Sequence, residues 1–210
     1  MFALIKREIE DSVVYFLGAV VLSAILISVL ISIGYHHTPA GSPAVAIGVL
    51  LPVIIMGMLG PCAMGAAQMY TDKTRKISSF LSTLVVTRAQ ILIARIITGI
   101  LSILTVLVPL IVTAVILLRI FAPPVPGYGV MVFEISITIF LMGFACYCIG
   151  LQTGWNSNKI IPTMGGLVLT CTLVPLVLVK GFGLHIIVIL SLLIIASLTR
   201  TWQKFMSTSL

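Results

Sequence analysis

The feature that most constrains this chain is a series of six apolar stretches, each near the length of a bilayer crossing. They fall at Val13–Ile33, Ala44–Ala67, Gln90–Leu118, Met131–Gln152, Lys159–Val179 and Gly183–Thr199. A helix rising about 1.5 Å per residue needs roughly 20 apolar residues to cross the ~30 Å hydrocarbon core of a membrane. Lipid offers no partner to an unpaired peptide group, so such segments cross as helices. Short polar or Pro/Gly-rich segments separate the six stretches, and none is long enough for a domain outside the membrane. Composition agrees: 60% of residues are hydrophobic and 8% are charged, against about 25% charged in soluble domains. The expected fold class is an all-α integral membrane protein with six transmembrane helices, one domain over residues 1–210. Residues 1–12 mix both signs of charge, and the apolar run after them exceeds the roughly 7–15-residue core of a signal peptide, so the first span is expected to stay.

Basic residues give the orientation. With six crossings, one set of loops and ends carries Lys6, Arg7, Lys73, Arg75, Lys76, Arg88, Arg95, Lys159, Arg200 and Lys204, and the other carries only Arg119 and Lys180. Ten against two is a strong positive-inside signal. Both termini and residues 68–89 are therefore expected on the cytoplasmic side of a cell (inner) membrane. The net charge of +7 then reports topology rather than a nucleic-acid partner. Cys62, Cys146, Cys148 and Cys171 have neither zinc-site spacing nor the pattern of a disulfide framework, and read as small buried hydrophobes.

Three segments outside the spans carry information. In Met1–Ser12, Phe2, Ile5 and Ile9 share a helical face, while Lys6 with Glu10 and Arg7 with Asp11 sit at i, i+4. This pattern predicts an amphipathic helix in the headgroup layer. In Gln68–Gln90, Ile77, Phe80, Leu81 and Leu84 form one apolar face and Ser78, Ser79, Ser82 and Thr83 fill the other. Asp72 or Thr71 can cap that short helix, and Thr87-Arg88-Ala89-Gln90 fits a capping box that starts the third span. A short helix of this kind needs a surface to rest on, either lipid or another protein. Phe121–Gly129, rich in Pro and Gly, is a stiff outer turn.

The stretch Leu81-Ser82-Thr83-Leu84-Val85-Val86-Thr87-Arg88, followed by Ile91 and Arg95, resembles the segment after the second span in ABC-2-type ATP-binding-cassette transporter permeases. The amphipathic start, six spans and cytoplasmic termini are also similar. Val85 stands where that family usually has Pro, and Lys73, Arg75 and Lys76 replace most of its acidic residues, leaving Asp72. The Lys180–Gly183 turn leaves little room for the re-entrant outer helices of many members. The resemblance implies a permease that pairs with a second copy or a homologue and is driven by two cytoplasmic ATPase subunits. Residues 72–84 would be the coupling helix, with Asp72, Lys73, Arg75, Lys76, Ile77, Phe80, Leu81, Leu84 and Arg88 contacting the ATPase. ATP and Mg would be held by that partner, because this chain has no G-x-x-x-x-G-K-[ST] loop.

Candidate substrate chemistry is sparse. Glu134, at the outer end of the fourth span, is either a solvated carboxylate favoured by a helix N-terminus or a substrate or gating group. Gln152, at the cytoplasmic end of the same span, is either interfacial or lines an entrance. Met58, Cys62 and Met69 share a face near Pro61, and read either as soft ligands for Cu(I) or as filling at an irregular helix interface; the expectation is packing, with no metal. Gly57, Gly60, Ala63 and Ala67, and the pair Gly150-x-x-x-Gly154, mark faces for close helix approach. No H-E-x-x-H, paired intramembrane carboxylates or G-x-S-x-G elbow suggests an enzyme. The apolar spans would suit export of a hydrophobic or amphipathic substrate. The alternative is an ion-coupled carrier or a non-catalytic assembly subunit working without ATP, and co-purification of an ATPase discriminates between the two.

Overall fold

A computed structural model describes residues 2–35, 55, 57–71, 88–121, 128–155, 160–181 and 183–207. Apart from Ser12 and the turn at 181–183, the described residues are helical. The helices are α1 (Phe2–Asp11), α2 (Val13–Tyr35), α3 (57–71), α4 (Arg88–Phe121), α5 (Tyr128–Trp155), α6 (Ile160–Lys180) and α7 (Leu184–Ser207). Three contain stretches long and apolar enough to cross a membrane: Ala89–Ile116, Val132–Gly154 and Leu184–Lys204. These coincide with the third, fourth and sixth expected crossings. α2 and α6 hold the shorter apolar stretches Val13–Val29 and Val168–Val177, where the first and fifth were expected. Much of the second expected crossing, and the whole 72–84 segment, lies outside the described residues.

α7 runs eight residues past the expected end at Thr199. Thr201 stays buried against the bundle while Trp202 is exposed. A buried face therefore continues past Thr199, with Arg200, Trp202 and Lys204 of the kinds that anchor helix ends at a membrane interface.

α5 is the centre of the bundle. Half of Val132–Gly154 is buried, compared with 22% of the apolar window in α4 and 28% of that in α7. Every residue from Met142 to Leu151 is buried, which accounts for a helix that is apolar all round rather than on one stripe. α4, α6 and α7 pack around α5, and α1 and α2 lie against the far side of α4. α3 reaches α5 through a crossing at which the two backbones touch. A Cβ on Gly150 would fall on the Cys62 carbonyl, and one on Gly154 would fall on the Ala66 carbonyl. A Cβ on Gly65 would stand 2.6 Å from the Tyr147 carbonyl oxygen. Without a hydrophobic drive between helices in lipid, close approach of small residues supplies the packing.

The Gly150-x-x-x-Gly154 face is thus used as expected, but the face on α3 is different. Gly60 meets nothing within 4 Å and Ala63 is exposed, whereas Cys62, Gly65 and Ala66 line the crossing. These three lie at i, i+3 and i+4, so they share a side of the helix.

The crossing makes a direct prediction. Gly150→Ala forces two backbones apart and should cost about 1–3 kcal/mol, the range for overpacking a filled interface. Gly18→Ala on α2, where a Cβ meets nothing within 4 Å, should be neutral or stabilise by up to about 1 kcal/mol through helix propensity. Reversible unfolding in lipid–detergent bicelles measures both.

Candidate functional site

Arg95 lies seven residues into α4, two turns from Arg88, and is 3% exposed. A guanidinium keeps its charge under all ordinary conditions, so burial at this position demands an anion. Glu8 of α1 supplies it, with Oε1 3.5 Å from Arg95 Nε. On another edge of the guanidinium, Nη1 donates to Met69 Sδ at 3.7 Å. Met69, on α3, is fully buried.

Glu8 reaches this position because α1 and α2 meet at a single buried residue. The Ser12 N–H donates to the carbonyls of Glu8 and Ile9, both at 3.1 Å. The Ser12 carbonyl in turn accepts from the N–H groups of Tyr15 at 2.9 Å and Phe16 at 3.2 Å. One residue therefore ends α1 and begins α2, satisfying orphan groups of both helix ends. The turn lays α1 along α4. The charge pattern of the sequence places Glu10 and Asp11 on the outer side of α1, and both are exposed; Glu8, on which that pattern is silent, is half-buried and turns towards Arg95.

Tyr147 of α5 completes the cluster. Its hydroxyl lies 2.7 Å from Gln68 Oε1 and 2.9 Å from the Arg95 carbonyl oxygen. One hydroxyl proton cannot serve both acceptors. Both distances are used when the Gln68 amide presents Nε2 to the hydroxyl, which then gives its proton to the Arg95 carbonyl. That arrangement also provides a partner for the buried Nε2, which otherwise has none among the described residues. The Tyr147 ring is held by its stack on Phe144, centroids 6.2 Å apart, and Phe144 stacks on Phe140 at 6.3 Å. Room for the ring comes from Gly99, one turn past Arg95, where a Cβ would stand 2.6 Å from Tyr147 Cε1. Glu8, Gln68, Met69, Arg95 and Tyr147 thus join α1, α3, α4 and α5 at one end of the bundle.

The residues singled out from the sequence are distributed differently. Asp72, Lys73, Arg75, Lys76, Ile77, Phe80, Leu81 and Leu84 lie outside the described residues, and Arg88 opens α4. Glu134 is half-buried in the second turn of α5, and its carbonyl accepts from the Thr138 hydroxyl at 2.8 Å. Gln152 is a clamp between α5 and α7: its Nε2 donates to the Ser197 carbonyl at 3.0 Å and to Ser197 Oγ at 2.8 Å. Eighteen residues of one helix separate Glu134 from Gln152, about 27 Å of rise, so the two belong to opposite ends and form no joint site. Cys62 sits under Gly150 and accepts a weak hydrogen bond from Thr170 Oγ1 at 3.7 Å. Among the described residues no group of three or more His, Cys, Asp and Glu side chains is arranged to hold a metal ion.

Sequence reasoning named Arg95 as a cytoplasmic charge, and missed its partners Glu8 and Tyr147. A signal was present in Arg95 itself: a lone charge two turns inside an apolar run requires a counter-ion, and intramembrane charges are the default functional positions. No family model, curated protein or solved structure matches this chain.

Tyr147→Phe keeps the ring packing and removes the hydroxyl, leaving a buried amide and the Arg95 carbonyl without it. The expected cost is about 1–3 kcal/mol, the penalty for stranding buried polar groups. It is read as a lowered unfolding free energy with unchanged oligomeric state.

Proposed function

We propose that this chain is the transmembrane subunit of an ATP-binding-cassette transporter, an exporter of a hydrophobic or amphipathic substrate. In this reading six helices cross a cell membrane with both termini in the cytoplasm. The permease pairs with a second copy or a homologue, and ATP and Mg are bound by separate ATPase subunits beneath it.

The observation that carries this reading is the Arg95 cluster and its place along the chain. Residues 72–87 leave α3 three residues after Gln68 and enter α4 seven residues before Arg95. A displacement of that segment is applied to the end of α3 and the start of α4 together. Glu8 and Tyr147 tie those same turns to α1 and α5. Force applied at one cytoplasmic segment would thus move four helices as a body, the rigid-body switching that an ATPase-driven exporter needs. An assembly subunit without moving parts has no use for such a linkage. Gln152 at the α5–α7 seam and Glu134 at the far end of α5 are the polar groups that such movement would expose to a substrate path.

The apolar face of the 72–84 segment, Ile77, Phe80, Leu81 and Leu84, is the proposed ATPase contact. As a 13-residue helix the segment would be marginal alone in water; in this reading the surface it rests on is the ATPase rather than lipid, with Lys73, Arg75 and Lys76 at the rim. Phe80→Ala with Leu84→Ala should weaken ATPase binding by at least about 30-fold, the effect of losing an interface anchor worth roughly 2 kcal/mol or more. The permease should still insert and dimerise. Neutralising Lys73, Arg75 and Lys76 should have a smaller effect that fades at high salt. A double alanine variant that keeps a fully coupled ATPase contradicts the assignment and favours an ATP-independent carrier.

A further inference from the structure

At the end of the bundle opposite the Arg95 cluster, α6 and α7 are joined by a tight turn in which Gly181 takes a φ of +82°. Despite this short connection, the backbones of the two helices stand apart, and each packs closely on α5; their side chains meet in the buried layer of Val174, Val177, Ile186 and Leu190 against that helix. The space left between them is a groove of about 650 Å³, within the range of roughly 300–1,000 Å³ that holds small ligands. Leu169, Leu173 and Leu176 line it from α6, and Ile186, Ile189 and Leu193 from α7. At its mouth stand Lys180, at the end of α6, and His185, in the first turn of α7; no acidic residue lines it.

Length and charge together identify the occupant. From Leu169 to Lys180 the α6 wall rises about 16 Å, close to half of the roughly 30 Å hydrocarbon core. The groove therefore runs from headgroup level through one leaflet. The negative end of the α6 dipole accounts for a cation at Lys180, but not for an apolar channel beneath it. The positive end of the α7 dipole lies at the same mouth, four residues beyond Lys180, although the Ile186 and Ile187 N–H groups there are already bonded to the Gly183 carbonyl. We propose that this groove holds one anionic phospholipid, its acyl chain between α6 and α7 and its phosphate on Lys180. This rests on the reading of the chain as membrane-embedded, and assigns the space between the α6 and α7 backbones to a lipid chain.

The test uses the full chain in vesicles, with Trp155 and Trp202 changed to Phe and a single reporter tryptophan added. Ile189→Trp reports on the groove rim; Val112→Trp, on an exposed apolar face of α4, is the control. Quenching by brominated phosphatidylglycerol is compared with quenching by brominated phosphatidylcholine. At Ile189→Trp, phosphatidylglycerol should associate about fivefold more strongly, the increment expected for one basic residue at the membrane surface. That preference should vanish on adding Lys180→Gln, and be absent at Val112→Trp. Equal quenching by both lipids at Ile189→Trp, or a preference that survives Lys180→Gln, overturns the proposal. Quenching at Val112→Trp but none at Ile189→Trp means that protein covers the groove, such as a second copy, and overturns it while leaving the membrane reading intact. No quenching at either position contradicts the membrane reading itself.

Discussion

Everything at one end of this bundle depends on the neutralisation of Arg95. Taking a guanidinium out of water costs several kcal/mol, recovered only with an anion in good geometry and with its remaining donors engaged. Glu8 is that anion, and it can reach Arg95 only because the chain turns at Ser12. The Ser12 turn, held by its own backbone hydrogen bonds, and the lie of α1 along α4 thus serve to bring one charge to another. An ion pair of this kind adds little net stability compared with an apolar pair of the same volume; what it fixes is which helix lies against which.

A second constraint is steric. α3 and α5 approach so closely at Gly65, Gly150 and Gly154 that their backbones are in contact. This brings Gln68 and Met69 to the level of Tyr147 and Arg95, so the polar cluster and the glycine crossing specify the same register. Either alone permits sliding of α3 along α5, and together they remove it. Movement between conformational states would have to break this end of the bundle or carry it as a unit. The hydrogen bonds of Gln152 to Ser197 make a separate tie between α5 and α7, and α6 meets α5 and, at Thr170 and Cys62, α3. Polar ties are thus concentrated on α5 and α4 among the described residues.

Helices were the legible part of the sequence. Apolar length placed α4, α5 and α7, because the cost of an unpaired peptide group in lipid leaves few alternatives. Amphipathic spacing placed α1, and the Gly150-x-x-x-Gly154 pair was readable as a packing face. Helix ends were less legible: α7 continues because Thr201 finds a buried environment, a tertiary contact that no local pattern carries. The α3 face towards α5 was misjudged by one step for the same reason, since Gly60 and Ala63 have the composition of a contact face without being placed at one, while Gly57 faces Leu22 of α2. Long-range polar pairs were the least legible. Glu8 and Arg95 are 87 residues apart and Gln68 and Tyr147 are 79 apart, and tyrosine in an apolar run gives no local sign that its hydroxyl is in use. The need for a counter-ion was visible in the sequence; its identity was a property of the fold.

The most direct test of this account is a double-mutant cycle across Glu8 and Arg95. Glu8→Gln, Arg95→Met and the double variant are compared by reversible unfolding in bicelles. Glu8→Gln removes the carboxylate charge 3.5 Å from the buried guanidinium and should cost up to about 3–5 kcal/mol. If the pair is the linkage described here, the double variant should recover much of that loss, giving an interaction energy of at least about 1.5 kcal/mol. Additive effects, agreeing to within about 0.5 kcal/mol, would mean that Glu8 does not neutralise Arg95, and that the N-terminal helix is not locked to the bundle.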